Sequence, residues 1–260
     1  MTVSGSEIQQ AADRAFGSRE VMIRTRELYK AFGSNKVLNG FNLELHRGEN
    51  VVVLGKSGSG KSVLIKCMVG LLYPDKGSVE VFGRNVPELN QEELDRIRVK
   101  IGFLFQSSAL YDSMTVRENL EFPLRRHWIS KTRDEVDALV MDALENVGLA
   151  HAVDLMPSEL SGGMRKRIGL ARTLILKPDI ILYDEPTTGL DPITGREISR
   201  LILEIQKKYN TSSIIITHDM GCAHIVANRI MVLVNGICYA EGTFEELKNS
   251  QDPNIRPFFE

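Results

Sequence analysis

Residues 55–62 read Gly-Lys-Ser-Gly-Ser-Gly-Lys-Ser, the pattern G-x-x-x-x-G-K-[ST], between an apolar run at 51–54 and a helical run at 63–69. This feature constrains the fold more than any other. A strand must deliver such a loop and a helix must leave it. The glycines let backbone N–H groups curl around phosphate oxygens, and the helix start adds its dipole. Gly55, Lys56, Ser57, Gly58, Ser59, Gly60, Lys61, Ser62 and Val63 are therefore expected to line a nucleotide. Lys61 bridges the β- and γ-phosphates, and Ser62 ligates Mg²⁺. A glycine-serine surface turn is the bland alternative, and it has no need of a strand before it and a helix after it.

Residues 180–183 and 214–216 are further short, nearly continuous apolar runs, and 101–105 is a weaker fourth. Strands buried on both faces of a parallel sheet read this way. Upstream, residues 21–50 alternate apolar and polar side chains, with turns at Gly33 and at Arg47-Gly48, which reads as antiparallel strands. Thr132 and Glu135 have capping-box spacing. Val136, Leu139, Val140, Ala143, Leu144 and Val147 follow with helical periodicity up to Gly148. The expected architecture is an α/β core of the phosphate-loop NTPase type. It carries an N-terminal antiparallel β subdomain and a helical subdomain inserted at about 107–165. Residues 1–20 read as a flexible arm, 21–248 as the domain and 249–260 as a tail.

Two acids, Asp184 and Glu185, end the 180–183 run. At the carboxyl edge of a parallel sheet such acids face the ligand crevice. Asp184 is expected in the Mg²⁺ shell and Glu185 on the attacking water. Leu160-Ser161-Gly162-Gly163-Met164 opens a basic helical run at 165–177, with Ser161 as N-cap and glycines exposing N–H groups. By itself this is an ordinary loop-to-helix junction.

Composition narrows the classes. The formal net charge is −2, from 32 basic and 34 acidic residues, which speaks against a nucleic-acid partner. Cys67, Cys222 and Cys238 lack metal-site spacing and read as buried thiols in a reducing compartment. No apolar run approaches the roughly 18 residues that span a bilayer, so a cytosolic protein is expected, with membrane contact only through partners.

The combination resembles the ABC ATPases over roughly residues 21–245. The phosphate loop, Gln106, Leu160-Ser161-Gly162-Gly163, Asp184-Glu185, Gly189-Leu190-Asp191 and His218 follow in that family's order and spacing. The resemblance implies an ATPase with ATP and Mg²⁺ as cofactors. It implies that Phe32, or Tyr29 in its place, stacks on adenine. Gln106 touches Mg²⁺ and the water, and His218 contacts the γ-phosphate. Asp191 lies at a dimer seam. Ser161 and Gly163, with Gly162 between them, act on nucleotide held by a second subunit.

Met164 and the tail Asp252-Pro253-Asn254-Ile255-Arg256-Pro257-Phe258 resemble the ATPase subunit of Mla- and Mce-type phospholipid transporters. That resemblance implies a homodimer in the ATP-bound state, peripheral on the cytoplasmic face of the inner membrane. Its implied partners are integral permease subunits, a small cytosolic regulatory subunit and an MCE-type substrate-handling protein. Rival functions are an amino-acid or metal importer's ATPase and a non-transporting ABC protein such as a cell-division ATPase. The tail docks either on an adjoining subunit or on its own domain.

Overall fold

β1 (Val21–Phe32) and β2 (Asn35–His46) pair antiparallel, with Phe32 opposite Asn35. The computed structural model that shows this describes residues 20–56, 58–127 and 131–260. Gly33 makes the turn between them at φ +61°, where an L side chain is strained and glycine is not. β3 (Asn50–Leu54) and helix α1 (Lys61–Met68) flank the phosphate loop. β4 (Lys76–Val81) and β5 (Arg84–Asn85) then complete an antiparallel sheet in the order β2-β1-β4-β5.

α2 (Gln91–Val99) leads into β6 (Ile101–Leu104). α3 (Val116–Arg126), α4 (Arg133–Glu145) and α5 (Gly162–Leu174) separate β6 from β7 (Ile180–Asp184). Thr132 caps α4 in the expected capping box: its hydroxyl accepts from the Glu135 amide, and Glu135 accepts from the Thr132 amide. α6 (Pro192–Tyr209), β8 (Ser212–Ile216), α7 (Met220–Val226), β9 (Arg229–Val234), β10 (Ile237–Gly242) and α8 (Phe244–Lys248) follow.

The second sheet runs β10-β9-β3-β8-β7-β6, parallel from β9 through β6 and closed by the antiparallel strand β10. All four apolar runs read from the sequence are in it. β9 is a fifth parallel strand of the same character. The period-2 geometry of a strand explains why these runs are apolar throughout. Val51, Val53, Leu182, Ile214 and Met231 face a core shared with α1 and the antiparallel sheet. Val52, Leu54, Ile181, Tyr183, Ile215 and Val232 face a second core, shared with the helices after β6.

The two ends of this sheet differ. At the amino end, Arg229 lies between Glu49, at 2.7 Å from Nε, and Glu241. His46 donates its amide to Glu49 at 2.9 Å, and its ring lies 3.2 Å from the same carboxylate. All four side chains are buried. The carboxyl end carries the phosphate loop.

Glu20 is the one described residue of the expected arm, and it pairs with Arg47 at 2.7 Å; the rest of that expectation lies outside the described residues. Residues 249–260 fold back on the same chain. Ile255 is buried, Phe259 meets Phe244 edge-on at 5.4 Å, and the Tyr239 hydroxyl donates to Asp252 at 3.0 Å. Among the described residues no helix is long and apolar enough to cross a membrane.

Candidate active site

The loop between β3 and α1 packs closely against β2 at Gly60. A Cβ on Gly60, at φ +104°, would come within 2.8 Å of the Val37 carbonyl, so only glycine lets the loop lie against β2. Lys61 turns back across the loop, and its ammonium donates to the carbonyls of Gly55 at 2.6 Å and Lys56 at 3.1 Å. Burial holds its pKa below the ordinary lysine value, while Glu185 and Asp184 pull it back up. An ammonium so placed is desolvated and close to acids, ready for an anion.

Asp184 is the last residue of β7, and Glu185 turns out of the strand at φ +50°. A non-glycine residue held there marks strain of the kind that clusters at functional sites. The turn is fixed by a hydrogen bond from the Glu185 amide to the Ile216 carbonyl at 2.9 Å, which ties β7 to β8. The Glu185 carboxylate accepts from the Thr188 hydroxyl at 3.1 Å and lies 2.8 Å from Nδ1 of His218, just past β8. Burial raises the Asp184 pKa, and the neighbouring Glu185 raises it further against Lys61, Lys66 and Lys166.

A cavity of about 710 Å³ opens at this end of the sheet. Gly55, Lys56, Gly58, Gly60, Lys61, Ser62 and Val63 line its floor; Gln106, Asp184, Glu185 and His218 line one wall. Phe32, half exposed, lines the mouth, and Tyr29 does not. Ser59 keeps its hydroxyl buried beneath the loop, and Ser57 lies outside the described residues.

Ser161, Gly162, Gly163 and Asp191 do not line this cavity. They form a second surface. The Ser161 hydroxyl caps α5 by accepting from the Met164 amide at 3.2 Å. Asp191 caps α6 by accepting from the amides of Ile193 and Thr194, both at 3.0 Å. The two helix starts abut: a Cβ on Gly163 would come within 2.7 Å of Thr194. Bonds from the Thr194 hydroxyl and amide hold the Asp191 carboxyl below its ordinary value.

Sequence reasoning missed four lining residues, Val37, Ile216, Pro257 and Phe258. For the last two the signal was present, since a tail ending in two phenylalanines has apolar surface to bury. It also missed Lys166, whose buried ammonium donates to the carbonyls of Gln106 and Glu185. The basic run at 165–177 contained it without distinguishing it.

The cavity can therefore hold a polyphosphate on a glycine-rich loop and a helix start, with an ammonium and two carboxylates at its far end. Residues 38–188 match the family model described as ABC transporter. The chain is 41% identical over 238 residues to the "Probable ribonucleotide transport ATP-binding protein mkl" of Mycobacterium leprae, covering 92% of this chain and 68% of that one. It is 36% identical over 237 residues to the "Intermembrane phospholipid transport system ATP-binding protein MlaF" of Haemophilus influenzae, covering 91% of this chain and 89% of that one. Among solved structures, the dimeric post-hydrolysis state of the ATP-binding cassette MJ0796 bound to ADP and Pi superposes with a TM-score of 0.78 at 31% identity, covering 86% of this chain and 99% of that one. The chain belongs to the ABC transporter family, as an ATP-binding and ATP-hydrolysing subunit.

Proposed function

We propose that this chain drives phospholipid transport, working as an ATP-bridged homodimer beneath integral permease subunits on the cytoplasmic face of the inner membrane. The observation that carries the substrate class is the likeness to MlaF, named for intermembrane phospholipid transport, over 89% of that protein's length. Met164 in the signature and the tail at 252–258 support the same reading. An MCE-type substrate-handling protein and a small regulatory subunit go with it. Ribonucleotide transport is the second reading, favoured by the 41% identity to mkl.

In this reading Lys61 bridges the β- and γ-phosphates of ATP, and Phe32 stacks on adenine. The N–H groups from Gly58 to Ser62 receive the phosphate oxygens. Glu185 accepts a hydrogen bond from the attacking water. His218 touches the γ-phosphate and orients Glu185 through their 2.8 Å contact. The residues fit Mg²⁺. Among the described residues no donor holds the Asp184 carboxylate, and it lines the cavity together with Ser62 and Gln106. A carboxylate, a hydroxyl and an amide form a hard oxygen set that phosphate oxygens complete. When bound, Mg²⁺ neutralises charge on the β- and γ-phosphates. Ser161, Gly162, Gly163 and Asp191 serve nucleotide held by a second copy, since the cavity of their own chain lies elsewhere. ATP then bridges two chains, and its hydrolysis removes the bridge.

The test is reconstitution. The chain is purified from detergent-solubilised membranes with its permease and placed in vesicles carrying a fluorescent phospholipid or a radiolabelled ribonucleotide. ATP-dependent movement of the phospholipid alone supports the first reading, and movement of the ribonucleotide alone replaces it with the second.

A further inference from the structure

α5 grips the segment after β6 along one face, through residues spaced by three. Lys166 donates to the Gln106 carbonyl and, at 3.3 Å, to the Glu185 carbonyl. One turn on, Gly169 brings the helix close, since a Cβ there would lie 3.0 Å from Leu104 and from Ser108. One turn further, Arg172 donates to the Ser108 carbonyl at 2.8 Å and the Ala109 carbonyl at 2.7 Å.

The gripped segment is strained. Ser108 and Ala109 adopt φ of +62° and +47°, and Glu185 adopts +50°. Such residues persist only where their surroundings over-determine them. α5 supplies that constraint at Ser108 and Ala109, and at Glu185 it adds to the bond that ties β7 to β8. Lys166 touches both strained places at once, through the carbonyl just before the Ser108 turn and the carbonyl of Glu185 itself.

Lys166 is 5% exposed, so its charge has been taken out of water. Burying an ammonium is costly unless it is well paired. Helix packing alone would be served as well by Met or Leu. The hydrogen bonds of Lys166 go to backbone carbonyls, and the charges nearest it belong to Asp184 and Glu185.

We propose that Lys166 is a positioning residue: it locks Gln106 and Glu185 to the helix that begins at Ser161. The geometry around the attacking water in one chain is then set by the same rigid element whose start serves the other chain's nucleotide. This coupling of the two composite sites rests on the trans role given above to Ser161. The hold on Gln106 and Glu185 does not.

The experiment measures steady-state ATPase activity of the full-length chain across ATP concentration, together with equilibrium ATP binding. Lys166→Met keeps length and volume and removes the charge. It is expected to lower kcat about 10- to 100-fold, the size of effect that misplaced catalytic groups produce. ATP affinity should stay unchanged and cooperativity in ATP should be lost. Lys166→Arg, which keeps charge and donors, should recover part of kcat. Should Lys166→Met fail to fold, Lys166→Gln is read in the same way. Wild-type kcat in the neutral variants overturns the proposal. So does a loss of ATP binding that matches the loss of rate, because that is the mark of general damage. Ser161→Arg is run alongside: wild-type turnover in that variant defeats the trans reading and leaves the kcat test of Lys166 intact.

Discussion

Both ends of the parallel sheet bury ionisable side chains, and they treat them differently. At the amino end Arg229 pairs with Glu49 and Glu241, and His46 bonds Glu49, while burial leaves the Glu241 carboxyl above its ordinary value with one oxygen unpartnered among the described residues. For Glu49, burial pushes the pKa up, and hydrogen bonds from His46 with the charge of Arg229 more than reverse it, so the carboxyl sits below its ordinary value. At the carboxyl end Lys61 and Lys166 bond to carbonyls rather than carboxylates, Asp184 is pushed up by burial, and Glu185 meets a His218 that is 68% exposed. In one cluster the charges are paired mainly with one another inside the fold. In the other, Lys61, Asp184, Glu185 and His218 line the cavity. Charge burial alone does not mark a site; buried charge that opens onto a cavity points to one.

Neutralising one acid at each end should separate the two clusters. Glu185→Gln should lower kcat by about 10²–10⁴-fold, the range of a positioned general base, with ATP affinity and melting temperature retained. Near-normal turnover removes Glu185 from the water. Glu49→Gln should do the reverse, costing on the order of 3 kcal/mol in denaturant unfolding, because it leaves Arg229 underpaired, while the folded fraction keeps its kcat. The sign with pH follows from the depressed Glu49 pKa. Its contribution is present above the unfolded carboxylate range, near about 4.3, and is lost as pH falls through the lower folded value. The stability gap between wild type and Glu49→Gln should therefore close on acidification. A gap that widens contradicts the assignment.

A smaller effect is expected at the tail. Stopping the chain after Lys248 removes Ile255, Phe258 and Phe259 from their packing. Fully burying one such side chain stabilises by about 1.5–3 kcal/mol, so the truncated chain should melt several degrees lower. An unchanged melting temperature, with weakened assembly, moves the tail's role to a partner. The smallest effect is at the start of α4: Thr132→Ala should cost about 1 kcal/mol, with kcat unaffected.

The parts of this molecule that were legible in the sequence are those where local chemistry decides the structure. The phosphate loop, the Thr132 capping box, the Ser161 N-cap and the strands with apolar residues on both faces all fall in this class. Lys166 was illegible because its importance comes from two carbonyls, one 60 residues and one 19 residues away in the chain. The amino-end cluster was illegible for the same reason, since Arg229 and Glu49 are 180 residues apart. β4, whose Lys-Gly-Ser-Val-Glu-Val carries only a weak alternation, is held by its neighbour β1 more than by its own pattern.

In the proposed mechanism each catalytic centre is completed across two chains. Mixing Ser161→Arg chains with Lys61→Ala chains tests it most directly. In the mixed dimer one composite site pairs an intact Lys61 with an intact Ser161, and the other carries both lesions. Neither variant alone should trap nucleotide, and each mixed dimer should trap one. No trapping in the mixture, or wild-type turnover by Ser161→Arg chains alone, contradicts it.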